Sequence, residues 1–415
     1  MNNINVHHRS MQSIKEIYRI GYGPSSSHTM GPQRAAKTIL EKYSDATKFV
    51  VTLYGSLAKT GRGHRTDYII NKTFENYDVE IIFNTEKTDL PHPNTLTFDI
   101  YKDSKLISSE TAMSIGGGEI IWDGKIKEVS KRIYPHTTFD EIKDYCNEHE
   151  IYLWQYVEKY EGEEIWTYLE EVWNTMKLSI HDGLKAEGEL FGGLHIMRRA
   201  KQLKKSKHMD ERPETRQNRV VCSYAYAVSE QNASAEGLIV TAPTCGSCGV
   251  LPAVLKYAED EYRFSDKRIC HALAVAGLFG TLIKTNATIS GAEAGCQAEI
   301  GSACSMAAAA LTELHKMDID KIEWAAENAM EHFLGLTCDP VYGLVQIPCI
   351  ERNAVAAMRA INAVNLANFL TETRNISFDL CVETMYETGK DLNNVYKETS
   401  EGGLAKLYNK DKDLI

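Results

Sequence analysis

From about residue 138 onward the sequence becomes a succession of alanine-rich stretches at helical spacing with almost no strand signal, which narrows the possible folds sharply. Leu238 to Lys256, Ile269 to Lys284, Ala303 to Lys316, Lys321 to Phe333 and Ile350 to Ala367 all read as helices. Short connections bearing glycine, proline or cysteine join them. Asp140 to Lys177 is also helical and carries Trp154, Trp166 and Trp173. The earlier part differs. Lys48-FVVTLYG, Val79-EIIFN, Leu96-TFDIYK and Ile107 to Trp122 are strand-like runs, and Met11 to Ile20, His28 to Tyr43 and Asp67 to Asn76 have helical spacing. The expectation is an α+β N-terminal domain over residues 1–137, followed by an all-helical domain over residues 138–415. Lys201 to Arg216 reads as an exposed basic loop or helix end, and the polar stretch from Lys397 as a mobile tail.

At 415 residues the chain has room for two or three cores. A formal net charge of −11 argues against nucleic acid or an anionic membrane surface as partner. No uninterrupted apolar run of ~18 residues suggests a membrane span. The start, MNNINVHHRS, is polar, so no signal peptide is expected. Ten cysteines in that setting point to reduced thiols, metal ligation or packing in a cytoplasmic protein.

Three of those cysteines stand among small residues and turn formers: Cys296 in Gly291-AEAGCQAEIG, Cys338 in Leu336-TCDPVYG and Cys349 in Gln346-IPCIERN. Their gaps of 42 and 11 residues suit neither a zinc finger nor the tight run of a bacterial ferredoxin. Three thiolates from separate segments could hold three corners of an iron–sulfur cube and leave one iron open. Cys245-x2-Cys248 could be half a zinc site or a redox pair, though no second pair accompanies it. Cys146, Cys222, Cys270, Cys304 and Cys381 read as packing cysteines.

Gly23-PSSSHTMGPQRAA sets hydroxyls before a helix, an arrangement that fits either an anion site or an N-cap with surplus serines. In Tyr54-GSLAKTGRGHRTD, His64 lies between Arg62 and Arg65, and neighbouring cations would favour its neutral base form. Ser114-IGGG fits a tight turn or a close approach of backbone to substrate.

Five motifs together resemble the bacterial iron–sulfur-dependent L-serine dehydratases: Gly23-PSSSHTMGP, Tyr54-GSLAKTGRGH, Ser114-IGGG, Ser290-GAEAGCQAEIGSACSMAAAAL and Cys338-DPVYGLVQIPCIERNAVAAMRAINA. The resemblance runs in order from Ile14 to about Ala405. It implies a β-type and an α-type domain in one chain, and a [4Fe-4S] cluster on Cys296, Cys338 and Cys349. It also implies conversion of L-serine to pyruvate and ammonia through an aminoacrylate, as amino-acid catabolism and gluconeogenesis require. Ser25, Ser26, Ser27, His28 and His64 would face the cluster across the domain interface. Some relatives end in a cysteine that caps the fourth iron. Here the end is Lys410-DKDLI and the last cysteine is Cys381, so water, another side chain or substrate is expected at that position.

Dehydrating serine requires removal of a weakly acidic Cα proton and expulsion of hydroxide. A cluster iron acts on the second problem as a Lewis acid. His64 is the expected base, with His28 the next candidate; Ser25, Ser26, Ser27, Thr29, Asn286, Ser290 and Gly291 are the expected substrate-binding residues. A related lyase acting on L-threonine or L-cysteine remains open, because one methyl or methylene is worth only ~1–3 kcal/mol in a pocket. A competing reading of another class is a structural Zn²⁺ protein with a sensor domain, yet such a site needs four protein ligands. A homodimer is the expected assembly, symmetric dimers being the common case.

Overall fold

The computed structural model describes residues 11–123, 132–235, 237–370 and 373–412. The polar first decapeptide and the last three residues of the tail lie outside them.

Five strands form one mixed sheet: β2 (Lys48–Tyr54), β3 (Asp78–Asn84), β4 (Thr95–Lys102), β5 (Lys105–Gly116) and β6 (Glu119–Asp123), in the order β3-β2-β4-β5-β6. Only β2 and β3 are parallel. A parallel pair needs a crossover, supplied here by α2 (Gly55–Thr60) and α3 (Thr66–Thr73). Strand alternation puts Phe49, Val51 and Leu53 of β2 and Leu96, Phe98 and Ile100 of β4 on one buried face. There they meet α1 (Gly31–Lys42) through Ala35, Ala36 and Ile39, and α3 through Ile69 and Ile70. The Ser114-IGGG segment ends β5 and turns sharply through Gly117 and Gly118 into β6, with positive φ at Gly116, Gly117 and Gly118.

Among the described residues thirteen α-helices follow. They are α4 (Phe139–Glu148), α5 (Leu153–Glu161), α6 (Glu164–Lys185), α7 (Ala200–Lys205), α8 (Pro213–Ser234), α9 (Val250–Tyr262) and α10 (Asp266–Asn286). After these come α11 (Gly291–Ala294), α12 (Ser302–Leu314), α13 (Ile319–Glu331), α14 (Cys349–Leu370), α15 (Phe378–Asp391) and α16 (Gly403–Lys412). An α+β N-terminal region followed by a largely helical one is therefore the architecture. Helix α10 is apolar on every side, as a helix at the centre of a core must be. It is long and apolar enough to cross a membrane, but 89% of its most apolar stretch is buried inside the protein. Alanines of α12 let it lie against α9, α10, α13 and α14.

Two expectations about local structure are corrected. Met11 to Ile20 is not a helix: it is a 3₁₀ turn at Ile14–Glu16 followed by the short strand β1 (Ile20–Tyr22). Glycines on α10 explain this, since a Cβ at Gly277 would lie 2.9 Å from both Ile14 and Tyr18. The extended segment fills that groove and then pairs antiparallel with β7 (Leu238–Val240). Leu238 to Lys256 is accordingly strand, loop and only then α9. The basic stretch 201–216 spans the end of α7 and the start of α8, which opens with Pro213 at a position suited to proline.

Candidate active site

The β1–β7 pair brings the Ser25 loop to the helical region, and the end of α8 seats it. Asn232 donates Nδ2 to the Pro24 carbonyl at 2.9 Å, and a Cβ on Gly23 would lie 1.9 Å from Asn232 Oδ1. Ser25 caps the turn that follows, its Oγ accepting from His28 N at 3.1 Å. That turn, Ser26–Met30, is π-helical, and so is Gln297–Gly301 immediately after Cys296. Such turns concentrate at functional sites.

A partly closed cavity of about 400 Å³ lies where these segments meet. Pro24, Ser25 and His64 line it from the N-terminal region; Cys296, Cys338 and Cys349 line it from three helical-region segments. The three thiols are buried and none is in a disulfide. Cys296 and Cys338 are brought together by Gln297 N donating to Leu336 O at 3.2 Å. Their sulfurs and a Glu299 carboxylate oxygen lie within 4.8 Å of one another. Cys349 opens α14, where the helix dipole favours an anionic sulfur. A contact with Cys296, together with burial, pushes the Cys338 thiol up; burial pushes Cys349 up, while the Arg352 guanidinium works against it. This donor set fits a metal group. Cys338 and Cys349, with their raised pKa values, are neutral without a cation and release their protons when one binds. Close packing allows no side chain at Gly291, where a Cβ would lie 2.6 Å from Glu299 Oε2 and 3.4 Å from Cys338 Sγ.

His64 is fully buried. Its Nδ1 lies 3.1 Å from the Thr60 carbonyl, so Nδ1 carries the proton and Nε2 keeps its lone pair. Nε2 has no hydrogen-bond partner among the described residues. Burial holds His64 down to about 4, against the opposing pull of the Thr60 carbonyl. The neighbouring arginines are not the cause. Arg62 stacks 4.4 Å over Phe83, and Arg65 lies over Tyr68 and Phe191. His28 sits with its ring 4.5 Å from that of His64, but both of its nitrogens are engaged, Nδ1 with Ser27 Oγ and Nε2 with Ser56 Oγ at 2.9 Å each.

Ser25 Oγ lies 3.2 Å from Ser27 Oγ, and Ser26 and Ser27 are buried beside it. Thr29 ties the two loops together, its Oγ1 donating to the His64 carbonyl at 2.7 Å. Ser290 meets the glycine turn, with a Cβ on Gly116 reaching its Cβ at 3.2 Å. Asn286 stands apart from the cavity lining, its Nδ2 donating to the Thr137 carbonyl at 2.7 Å. Cys245 and Cys248 belong to the apolar core, and only Gly246 between them lines the cavity.

Four site residues escaped the sequence reading. Glu299 accepts from Thr244 Oγ1 at 2.7 Å. Arg352 donates to Thr337 O at 2.6 Å and to Asp339 at 3.1 Å. Asp339 also accepts from Leu404 N at 2.8 Å, and Glu398 enters the cavity from the tail. Glu299 and Arg352 stand three residues after a site cysteine on helical turns, a spacing that could have flagged them. Glu398 had no such signal. The tail that carries it is not free: Cys338 N donates to Tyr396 O at 2.7 Å, and Glu398 N donates to Cys338 O at 2.9 Å.

One cavity thus gathers a buried imidazole with an unshared lone pair, three thiols and two carboxylates. Residues 13–76 match the family model described as serine dehydratase beta chain, and residues 72–405 that of serine dehydratase alpha chain. The chain is 39% identical to L-serine dehydratase 2 of Escherichia coli, over 95% of this chain and 98% of that protein. It is 39% identical to the L-serine dehydratase of Haemophilus influenzae (95% and 99% covered) and 37% to that of Streptomyces coelicolor (95% and 98%). The chain belongs to the serine dehydratase family.

Proposed function

We propose that this chain is an L-serine ammonia-lyase, converting L-serine to pyruvate and ammonia with a [4Fe-4S] cluster held by Cys296, Cys338 and Cys349. The observation that carries the reading is the unshared Nε2 of His64 across a cavity from three convergent thiols. When bound, the cluster supplies a Lewis acid for the departing hydroxyl at the iron no cysteine holds. His64 takes the Cα proton on Nε2, and its Nδ1–H stays on the Thr60 carbonyl to fix the tautomer. The hydroxyls of Ser25 and Ser27 and the backbone of the Ser26–Met30 turn receive the substrate carboxylate. His28 braces His64 and the serine loop. The enclosing walls limit water around the reacting carbon.

Anaerobic reconstitution with iron and sulfide, followed by pyruvate detection from L-serine, tests this reading. Activity with one zinc per chain and no iron would overturn it. Cys338→Ala is expected to lose the brown colour and bound iron together, which metal analysis checks.

A further inference from the structure

The segment from Tyr396 to Leu404 straps the tail across the Cys338 loop. Ser400 Oγ donates to Pro340 O at 2.6 Å, and Leu404 N is held by Asp339. Within it Glu398 has φ +58° and Ser400 φ +59°, a left-handed region that residues other than glycine seldom occupy. Such conformations persist where the surroundings over-determine them, and they gather at functional sites. Here the hydrogen bonds on Cys338 hold the turn, and it delivers the Glu398 carboxylate into the cavity with 12% of the side chain exposed.

No lysine or arginine reaches that carboxylate among the described residues. Its nearest basic atom is His28 Nδ1, at 3.9 Å, which already meets Ser27 Oγ. Arg352 is turned to Thr337 and Asp339 instead. Glu299, the other carboxylate, is held by Thr244 and packed among the sulfurs. A buried carboxylate with no cation beside it is costly, and an arriving cation removes that cost.

We propose that Glu398 is the receptor for the α-ammonium group of the substrate, an inference that rests on the L-serine reading above. Position supports it. The ammonium and the departing proton sit on one carbon, so their acceptors must be neighbours. Glu398 stands between the sulfurs and the histidines: its backbone is bonded to Cys338, its carboxylate lies 3.9 Å from His28 Nδ1, and the His28 ring is 4.5 Å from that of His64. The strap thereby reads the amino group, while the serine loop reads the carboxylate.

Two unreactive ligands separate the contributions. L-Alanine carries the ammonium and lacks the hydroxyl; 3-hydroxypropionate carries the hydroxyl and lacks the ammonium. Their binding to the iron–sulfur-loaded chain is measured by anaerobic calorimetry, in the unmodified protein and in Glu398→Gln. The expected result is a loss of about 100-fold for L-alanine with 3-hydroxypropionate changed by less than about 3-fold, as for removal of one partner of a buried charge pair. Equal losses for both ligands, or no loss for either, would overturn the assignment. A changed Mössbauer spectrum of the ligand-free cluster in Glu398→Gln would overturn it too, by making Glu398 an iron ligand. Should Glu398→Gln fail to load, Glu398→Asp keeps the charge one methylene short, and the same selective loss for L-alanine is required of it. A loaded chain that binds both ligands yet makes no pyruvate from L-serine defeats the proposed function and leaves this comparison standing.

Discussion

At the scale of single residues, chemistry at this site depends on what burial does to one histidine. Burial with Nδ1 on Thr60 leaves a neutral base with its pKa near 4, below the ordinary value of 6.5. Protonation therefore does not silence it at neutral pH. Because the folded value is depressed, the unfolded chain binds the proton more readily between those limits. Its contribution to stability is intact above about pH 6.5 and is lost as pH falls toward 4, at about 1.4 kcal/mol per unit. His64→Gln is expected to lower kcat about 10²–10⁴-fold with iron and sulfide content retained, and to flatten the fall in urea midpoint over that pH window. Unchanged turnover would remove His64 from the role of base. Gly291→Ala tests the packing of the thiol cradle. Its methyl would lie 2.6 Å from a Glu299 oxygen, so iron uptake is expected to fall while the far-UV circular dichroism stays the same. The thiols and imidazoles were legible from their motifs because the types themselves carry the chemistry. The cause of the His64 shift was not: adjacency in sequence pointed to Arg62 and Arg65, whereas both side chains turn away to aromatic rings.

Among elements, the tail is where sequence and structure part most. A polar stretch with two glycines has no periodic apolar face, so it reads as solvated chain; its order comes from backbone bonds to Cys338 and from Asp339, which no pattern records. Asp339 is 3% exposed and serves both Arg352 and the strap. Removing it leaves a half-buried guanidinium short of its carboxylate and frees Leu404 N. Asp339→Ala is expected to destabilise the protein by about 3 kcal/mol. It should also raise amide hydrogen exchange across residues 396–408 well before the rest of the helical region responds. Exchange that rises uniformly would mean the strap is not an independent element. The long helices, by contrast, were plain from spacing alone. The departures fell where tertiary pairing overrode local preference, as in β1 and β7, each only three residues long and stable only against the other.

For the molecule as a whole, the site exists only where two regions of different architecture meet, since His64 and Ser25 come from one and the cysteines from the other. What locks them is partly apolar: Ile14, Ile17 and Tyr18 of the N-terminal segment belong to the helical core, and Tyr18 Oη donates to Leu273 O at 2.8 Å. The other lock is ionic. Lys284, at the end of α10, reaches Glu119 of β6 at 2.6 Å and Gln12 at 2.7 Å, with side chains only 12% and 19% exposed for the ion pair. Burial lowers the Lys284 pKa and Glu119 opposes that. Deleting the carboxylate leaves the ammonium in the interface without its paired charge, a loss of about 3 kcal/mol that falls on the sheet's attachment and not on either core. Trp122 stands in β6, whereas the other four tryptophans lie in helices α5, α6 and α13, so its fluorescence follows the sheet while circular dichroism at 222 nm follows mostly helix. In a protein whose only tryptophan is Trp122, the two denaturation curves are expected to coincide, because the shared core makes unfolding one event. Adding Glu119→Ala should move the fluorescence midpoint to lower urea ahead of the helical signal. Curves that stay superimposed would show that the apolar lock alone couples the regions, and that Lys284 and Glu119 only decorate it.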